Sequence, residues 1–162
     1  MKTIIIVGGG FSGTMVAAQL IKKASAPLKI FLLEKLHAPG KGLAYSTKDL
    51  THLLNVRSAN MSAFPHEPDH FSKWLSLNHE SYEYKDWAPR KVYGDYIHSI
   101  LLDTMQLAER KNCSFELLPW DAIAAEFSGD EILVNLSNGK SIKGNHLVLA
   151  MGHFIPRASS GL

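Results

Sequence analysis

The sequence predicts an α/β fold: a Rossmann-like parallel sheet with a G-x-G-x-x-G strand–helix–strand unit, plus a small antiparallel β-meander. Three observations carry this. An uninterrupted apolar run at residues 4–7 leads straight into Gly8-Gly9-Gly10-Phe11-Ser12-Gly13. A second run at 28–33, apolar apart from Lys29, follows one helix length later and ends at the acidic Glu34. In the last third, alternating apolar and polar positions are punctuated by Ser128-Gly129-Asp130 and Asn138-Gly139.

The first strand, Ile4-Ile5-Ile6-Val7, has no polar face, as expected of a strand buried on both sides of a parallel sheet. It should be central, with the second strand beside it. A helix is predicted from Ser12 to about residue 24, because Val16 with Leu20 and Ala17 with Ile21 give it an apolar stripe. Pro27 stops it, and 28–34 is the second strand. A short right-handed crossover of this kind builds a parallel pair.

Residues 35–68 carry no periodicity, only the breaks Pro39-Gly40 and Gly42. An irregular stretch this long inside a domain is usually functional. Asp69 is a candidate N-cap for a helix bearing Phe71, Trp74 and Leu75. A longer helix is predicted over 92–110, with Tyr96, Ile100 and Leu107 on its buried side. The remainder reads as strands at 114–118, 122–127 and 132–136. Asn138-Gly139 is a strong hairpin signal, and a last apolar strand at 146–150 runs into Met151-Gly152. The result is a three-stranded antiparallel excursion followed by a return strand.

The chain has 162 residues, 46% hydrophobic and 20% charged, enough for one domain with a core. A net charge of +2 names no partner, and no basic cluster points to nucleic acid. Lys22 and Lys23 read as a solvated helix end. The single cysteine, Cys113, cannot form an intrachain disulfide and reads as a small buried side chain. That fits a reducing compartment, and the expected location is cytoplasmic. No apolar run approaches the roughly 18–20 residues of a membrane span. The N-terminal run is too short for a signal peptide, so no membrane partner is expected.

The glycines have separate jobs in such a turn. Gly8 permits the tight exit from the strand, Gly10 lets the backbone approach a pyrophosphate, and Gly13 lets the helix pack close to the sheet. Phosphates then meet the helix N-terminus, where unpaired N–H groups and the dipole favour an anion. Glu34 stands where such units place an acidic residue, about 20 residues on, to accept from an adenosine ribose. The same carboxylate would repel a 2′-phosphate, which argues against NADP at this first site.

Further stretches share a pattern: Gly40-Lys41-Gly42-Leu43-Ala44-Tyr45-Ser46, His52-Leu53-Leu54-Asn55-Val56, Met61-Ser62-Ala63-Phe64-Pro65, Phe71-Ser72-Lys73-Trp74-Leu75 and Arg90-Lys91-Val92-Tyr93-Gly94-Asp95-Tyr96. Together with the glycine turn and Ala150-Met151-Gly152, they resemble a family of bacterial FAD/NAD(P)-binding proteins. That family is distantly related to the flavin-dependent amine N-monooxygenases. The resemblance spans residues 4–156. It implies a two-dinucleotide-domain flavoprotein fold and FAD as cofactor, with NAD(P)H expected for the full-length protein.

Position by position, the resemblance implies that Gly8, Gly10 and Gly13, with Phe11 and Ser12 in the same turn, cradle the FAD pyrophosphate. Glu34 holds the ribose, flanked by Lys35. Gly42 and Asn55 lie along the flavin half, and the backbone of Ala122 meets adenine. Met151 replaces a commoner Thr before Gly152. No general base is expected, since a flavin carries its own redox chemistry. The resembled proteins are longer, so residues 1–162 are expected to form a single FAD-binding domain without the NAD(P)H domain and the return segment that closes the flavin pocket. Such a unit should be inactive alone and prone to self-association through its exposed flavin side.

The leading function is therefore the FAD-binding portion of an NAD(P)H-dependent flavin oxidoreductase, with a monooxygenase as the specific form and a small molecule as substrate. The alternatives are a non-catalytic nucleotide-binding module and an NAD-dependent dehydrogenase with a β insertion. Blander readings apply elsewhere. His66 and His70 read as surface-loop residues, not metal ligands, and no metal is expected. Tyr82, Tyr84 and Trp87 read as loop packing. Arg90 faces either an anionic substrate or nicotinamide cofactor, or an ordinary ion-pair partner. His153 follows the cofactor turn and could approach the flavin.

Overall fold

The computed structural model describes residues 1–35, 38–79 and 86–152. Strand β1 (Lys2–Val7), helix α1 (Phe11–Lys23) and strand β2 (Leu28–Leu33) form the expected crossover unit. The strands pair in parallel, with Ile4 opposite Ile30 and Ile6 opposite Leu32. Then come a single helical turn α2 (Gly42–Tyr45), a 3-10 turn at Ser58–Asn60, α3 (His70–Asn78) and the long α4 (Arg90–Arg110). Strands β3 (Ser114–Leu118), β4 (Ala122–Ser128), β5 (Glu131–Leu136), β6 (Ser141–Gly144) and β7 (His146–Leu149) complete the order.

The parallel sheet runs β3-β2-β1-β7, so β1 is central with β2 beside it. Because successive side chains point to opposite faces, Ile4, Ile6, Ile30 and Leu32 meet α1 and α4 on one side. Ile5, Phe31 and Leu33 meet Ile132, Val134 and Leu136 of the antiparallel sheet on the other. This three-layer burial is why residues 4–7 of β1 and 30–33 of β2 are apolar without a break. A further cluster lies on the opposite flank of α4, where Tyr93, Tyr96, Ile97 and Ile100 pack against Leu54, Ala63, Phe71 and Leu75. One helix thus carries both the sheet and the segment around residues 54–75.

Several expectations are corrected. The 114–118 strand is not antiparallel. It joins the parallel sheet outside β2, with Ile30 opposite Phe115, because α4 returns the chain by a second crossover. The third antiparallel strand is β6, reached through Asn138-Gly139. Helix α4 starts two residues early, at Arg90. Asp69 occupies the N-cap position of α3, but its side chain makes no cap bond; it pairs with Lys73 at 2.6 Å instead. Among the described residues strand β7 lies at the edge of the sheet, and Leu149 is 62% exposed. No helix among the described residues is long and apolar enough to cross a membrane.

Candidate cofactor-binding site

The glycine turn sits at the C-terminal edge of the parallel sheet. The Gly8 N–H donates to the Leu33 carbonyl at 3.0 Å, and the Ala150 N–H donates to Val7 at 2.8 Å, so the ends of β1, β2 and β7 meet there. Gly8 has φ +103°, and a Cβ on it would lie 2.2 Å from the Ala150 carbonyl oxygen. A Cβ on Gly13 would lie 1.9 Å from the Gly8 carbonyl oxygen. Gly10 differs: its backbone is extended, so any residue could adopt it. Its constraint is spatial, since a Cβ would approach the Gly42 Cα at 3.3 Å.

The first helical bond runs from the Thr14 N–H to Gly10 at 3.0 Å. The N–H groups of Phe11, Ser12 and Gly13 therefore precede the helix ladder and have no partner within it. The first turn of α1 carries no acidic residue and its last turn carries Lys22 and Lys23, so the dipole is matched at the C-terminal end and left open to an anion at the N-terminal end.

Glu34 follows β2. Its Oε2 accepts from the Gly9 N–H at 3.1 Å, which places a half-buried carboxylate beside the turn. A Cβ on Gly9 would lie 2.6 Å from the Glu34 Cβ. Gly9, an unspecified position in the motif, is thus a fourth required glycine that motif reading passed over; three consecutive glycines were the available signal. Lys35 pairs with Asp121 at 2.6 Å, and Asp121 directly precedes Ala122 at the start of β4. The structure therefore brings Glu34, Lys35 and Ala122 to one end of the sheet.

A second loop covers the turn. The Gly40 N–H donates to the Gly9 carbonyl at 2.7 Å, and Gly42 packs its bare Cα on Gly10. Helix α4 holds this loop down. His98 Nδ1 bonds the Pro39 carbonyl at 2.7 Å, and Tyr45 sits against Gly94, where a Cβ would lie 2.4 Å from the Tyr45 carbonyl oxygen. Lys41 pairs with Asp95, which also meets Lys91 at 2.8 Å. Burial pushes the Asp95 carboxyl up, but the bonds from Lys41 and Lys91 outweigh it and hold it below the usual carboxylate range. Phe11 stacks on Tyr93 with ring centroids 6.4 Å apart. Burial pushes the Tyr93 hydroxyl far up, reinforced by Tyr45 and Tyr96.

Two glycine turns thus face each other over a helix N-terminus, with a carboxylate at one end. That donor set fits a diphosphate, and the carboxylate fits a ribose diol. Of the other predicted residues, Met151 adjoins this core, its backbone N 3.2 Å from where a Cβ on Gly8 would stand. Asn55 is exposed in the 51–58 segment. Met151 is 50% exposed, and Gly152 has φ +66° with open space around it. His70 is corrected: it begins α3, half-buried, with Nδ1 bonded to the Tyr96 hydroxyl at 2.7 Å. His66 is exposed, and no metal-binding cluster occurs among the described residues. The Arg57 guanidinium lies over the Trp87 ring at 4.8 Å. Cys113 is buried. Tyr82, Tyr84 and His153 fall outside the described residues.

The family described as FAD-NAD(P)-binding matches residues 5–154. Among curated proteins there is no significant match. The fold is similar to that of a cyclohexanone monooxygenase, with TM-score 0.61 and 17% identity, covering 97% of this chain and 28% of that one. It is also similar to a flavin monooxygenase from Stenotrophomonas maltophilia, with TM-score 0.59 and 16% identity, covering 92% and 38%. An oxidised steroid monooxygenase bound to NADP gives TM-score 0.58 and 15% identity, covering 95% and 27%. The chain thus spans between about a quarter and two-fifths of the length of these structures.

Proposed function

This chain belongs to the FAD-NAD(P)-binding family, and on that premise we propose that it supplies the FAD-binding portion of an NAD(P)H-dependent flavin oxidoreductase of the monooxygenase type. The observation that carries the reading is the pairing of two glycine turns, Gly8 to Gly13 and Gly40 to Gly42, across the open N-terminus of α1. FAD, once bound, would supply the hydride and electron chemistry; the residues of this chain bind and orient.

The N–H groups of Phe11, Ser12 and Gly13 would donate to the diphosphate, which gains from the helix dipole. Glu34, oriented by the Gly9 N–H, would accept from the adenosine ribose. Lys35 and Asp121 would flank the adenine end beside Ala122. Gly42, fixed by Lys41 and Asp95, would wall the ribityl side. The apolar surface of Phe11, Leu43 and Leu53, each at least 36% exposed, would lie toward the flavin ring.

The test is reconstitution. The purified chain is incubated with FAD, desalted and scanned for the visible band of oxidised flavin, while FAD fluorescence quenching gives the affinity. Saturable quenching is expected. Binding of NAD in preference to FAD would favour a dehydrogenase, and binding of neither a non-catalytic module.

A further inference from the structure

We propose that Arg90 anchors an anion subsite that takes the carboxylate or phosphate of the small molecule brought to the flavin. The inference rests on the reading that FAD occupies the two glycine turns, and it adds the charge class of what meets it.

Arg90 is half-buried at the first position of α4. Its Nε donates to the Leu53 carbonyl at 3.3 Å, and its own backbone N–H donates to His52 at 2.8 Å. Leu53 also bridges Pro89. The guanidinium is therefore fixed along one edge, and a planar fork held this way presents its remaining donors in the geometry that suits an oxyanion.

Among the described residues no carboxylate pairs with Arg90, whereas the next residue, Lys91, meets Asp95 at 2.8 Å. The first turn of α4 contains no acidic residue, and a cation at the positive end of a helix is disfavoured. Local rules are broken in this way at functional or strained positions.

Tyr45 completes the arrangement. It packs on the face of α4 that carries Arg90, its ring 4.8 Å from that of Tyr93, one turn further along. Burial pushes its hydroxyl above the usual tyrosine value, with the charge of Arg90 pulling the other way, and like any tyrosine it is a donor at neutral pH. Tyr45 closes the loop whose Gly42 rests on Gly10. Tyr45 thus reaches the cofactor turn through Tyr93, whose ring stacks on Phe11 with centroids 6.4 Å apart, and Arg90 lies one helical turn before Tyr93. Lys in place of Arg would keep the charge and lose the fork.

The experiment titrates inorganic phosphate and acetate at constant ionic strength and follows the ¹H–¹⁵N signal of Arg90 Nε. Arg57, over Trp87, serves as internal reference. A saturating shift at Arg90 alone is expected. Arg90→Gln should raise the anion Kd at least tenfold, Arg90→Lys should recover part of it, and Tyr45→Phe should weaken it several-fold. Thermal melts confirm that each variant is folded. NADPH and NADH titrations distinguish the sources: an Arg90-dependent preference for NADPH assigns the anion to the nicotinamide cofactor, and acetate saturation without that preference assigns it to the substrate. A linear shift at Arg90 that merely tracks Arg57, or an unchanged anion Kd in Arg90→Gln, overturns the inference. Failure of the unaltered chain to bind FAD while the anion still saturates at Arg90 would sink the FAD reading alone.

Discussion

The glycines of the turn should fail differently when each becomes alanine, and Gly13 against Gly10 is the sharpest contrast. A Cβ on Gly13 meets the Gly8 carbonyl oxygen at 1.9 Å, and ordinary contact begins at 3.4 Å. The oxygen is backbone and a Cβ is fixed rigidly to its own backbone, so α1 must lift from the sheet and loosen Ala17 and Ile21 from their cluster. Overpacking of this kind costs about 1–3 kcal/mol, at the upper end or beyond when backbone is on both sides. The better helix propensity of alanine returns about 0.8–1.0 kcal/mol. The net loss should be about 2 kcal/mol, a fall in Tm of about 4–8 °C for a chain of this size. At Gly10 the backbone is extended and the nearest atom lies 3.3 Å away. Alanine there also reduces the freedom of the unfolded chain, worth about 0.4–1 kcal/mol. Gly10→Ala should therefore melt within about 2 °C of the unaltered protein yet bind FAD at least tenfold more weakly. Circular-dichroism melts and FAD quenching titrations measure both. A Gly13→Ala variant that melts normally, or a folded Gly10→Ala variant with unchanged FAD affinity, would refute the assignment.

Glu34→Ala should weaken FAD by about 1.5–3 kcal/mol, the range for a hydrogen bond to a charged group; isothermal titration reads this, and no change would remove Glu34 from the site. Asp95→Asn should loosen the Gly40 to Gly42 loop and raise the FAD Kd. Because the folded Asp95 carboxyl sits below its ordinary value of about 3.9, its contribution to stability is present above that pH and lost as pH falls through the lower folded value. The unaltered protein should therefore lose stability there more steeply than Asp95→Asn, in melts recorded from pH 5 downward. We also expect self-association. Among the described residues strand β7 has no neighbour on its outer side and carries no Lys, Asp, Glu or proline; its Leu149 and the following Met151 are 62% and 50% exposed. Sedimentation velocity should show species above the monomer that Leu149→Lys reduces, and a monomer at high concentration would count against it.

The sequence by itself determined whatever depends on neighbours along the chain. Burial of β1 and β2 on both faces, the helix between them, the Asn138-Gly139 hairpin and the positions of Gly8, Gly10, Gly13 and Glu34 could all be read, because hydrophobic period and turn chemistry are local signals. Tertiary structure decided what depends on pairing across distance. A five-residue strand such as Ser114–Leu118 carries no mark of its partner, and only the return along α4 places it parallel to β2. The edge position of β7 depends in the same way on which strands lie outside it. The second wall of the site was equally hidden. Lys41 and Asp95 are 54 positions apart, and Gly9 owes its necessity to the Cβ of Glu34, 25 positions on. Contacts of that separation arise from packing, which the local pattern permits but does not specify.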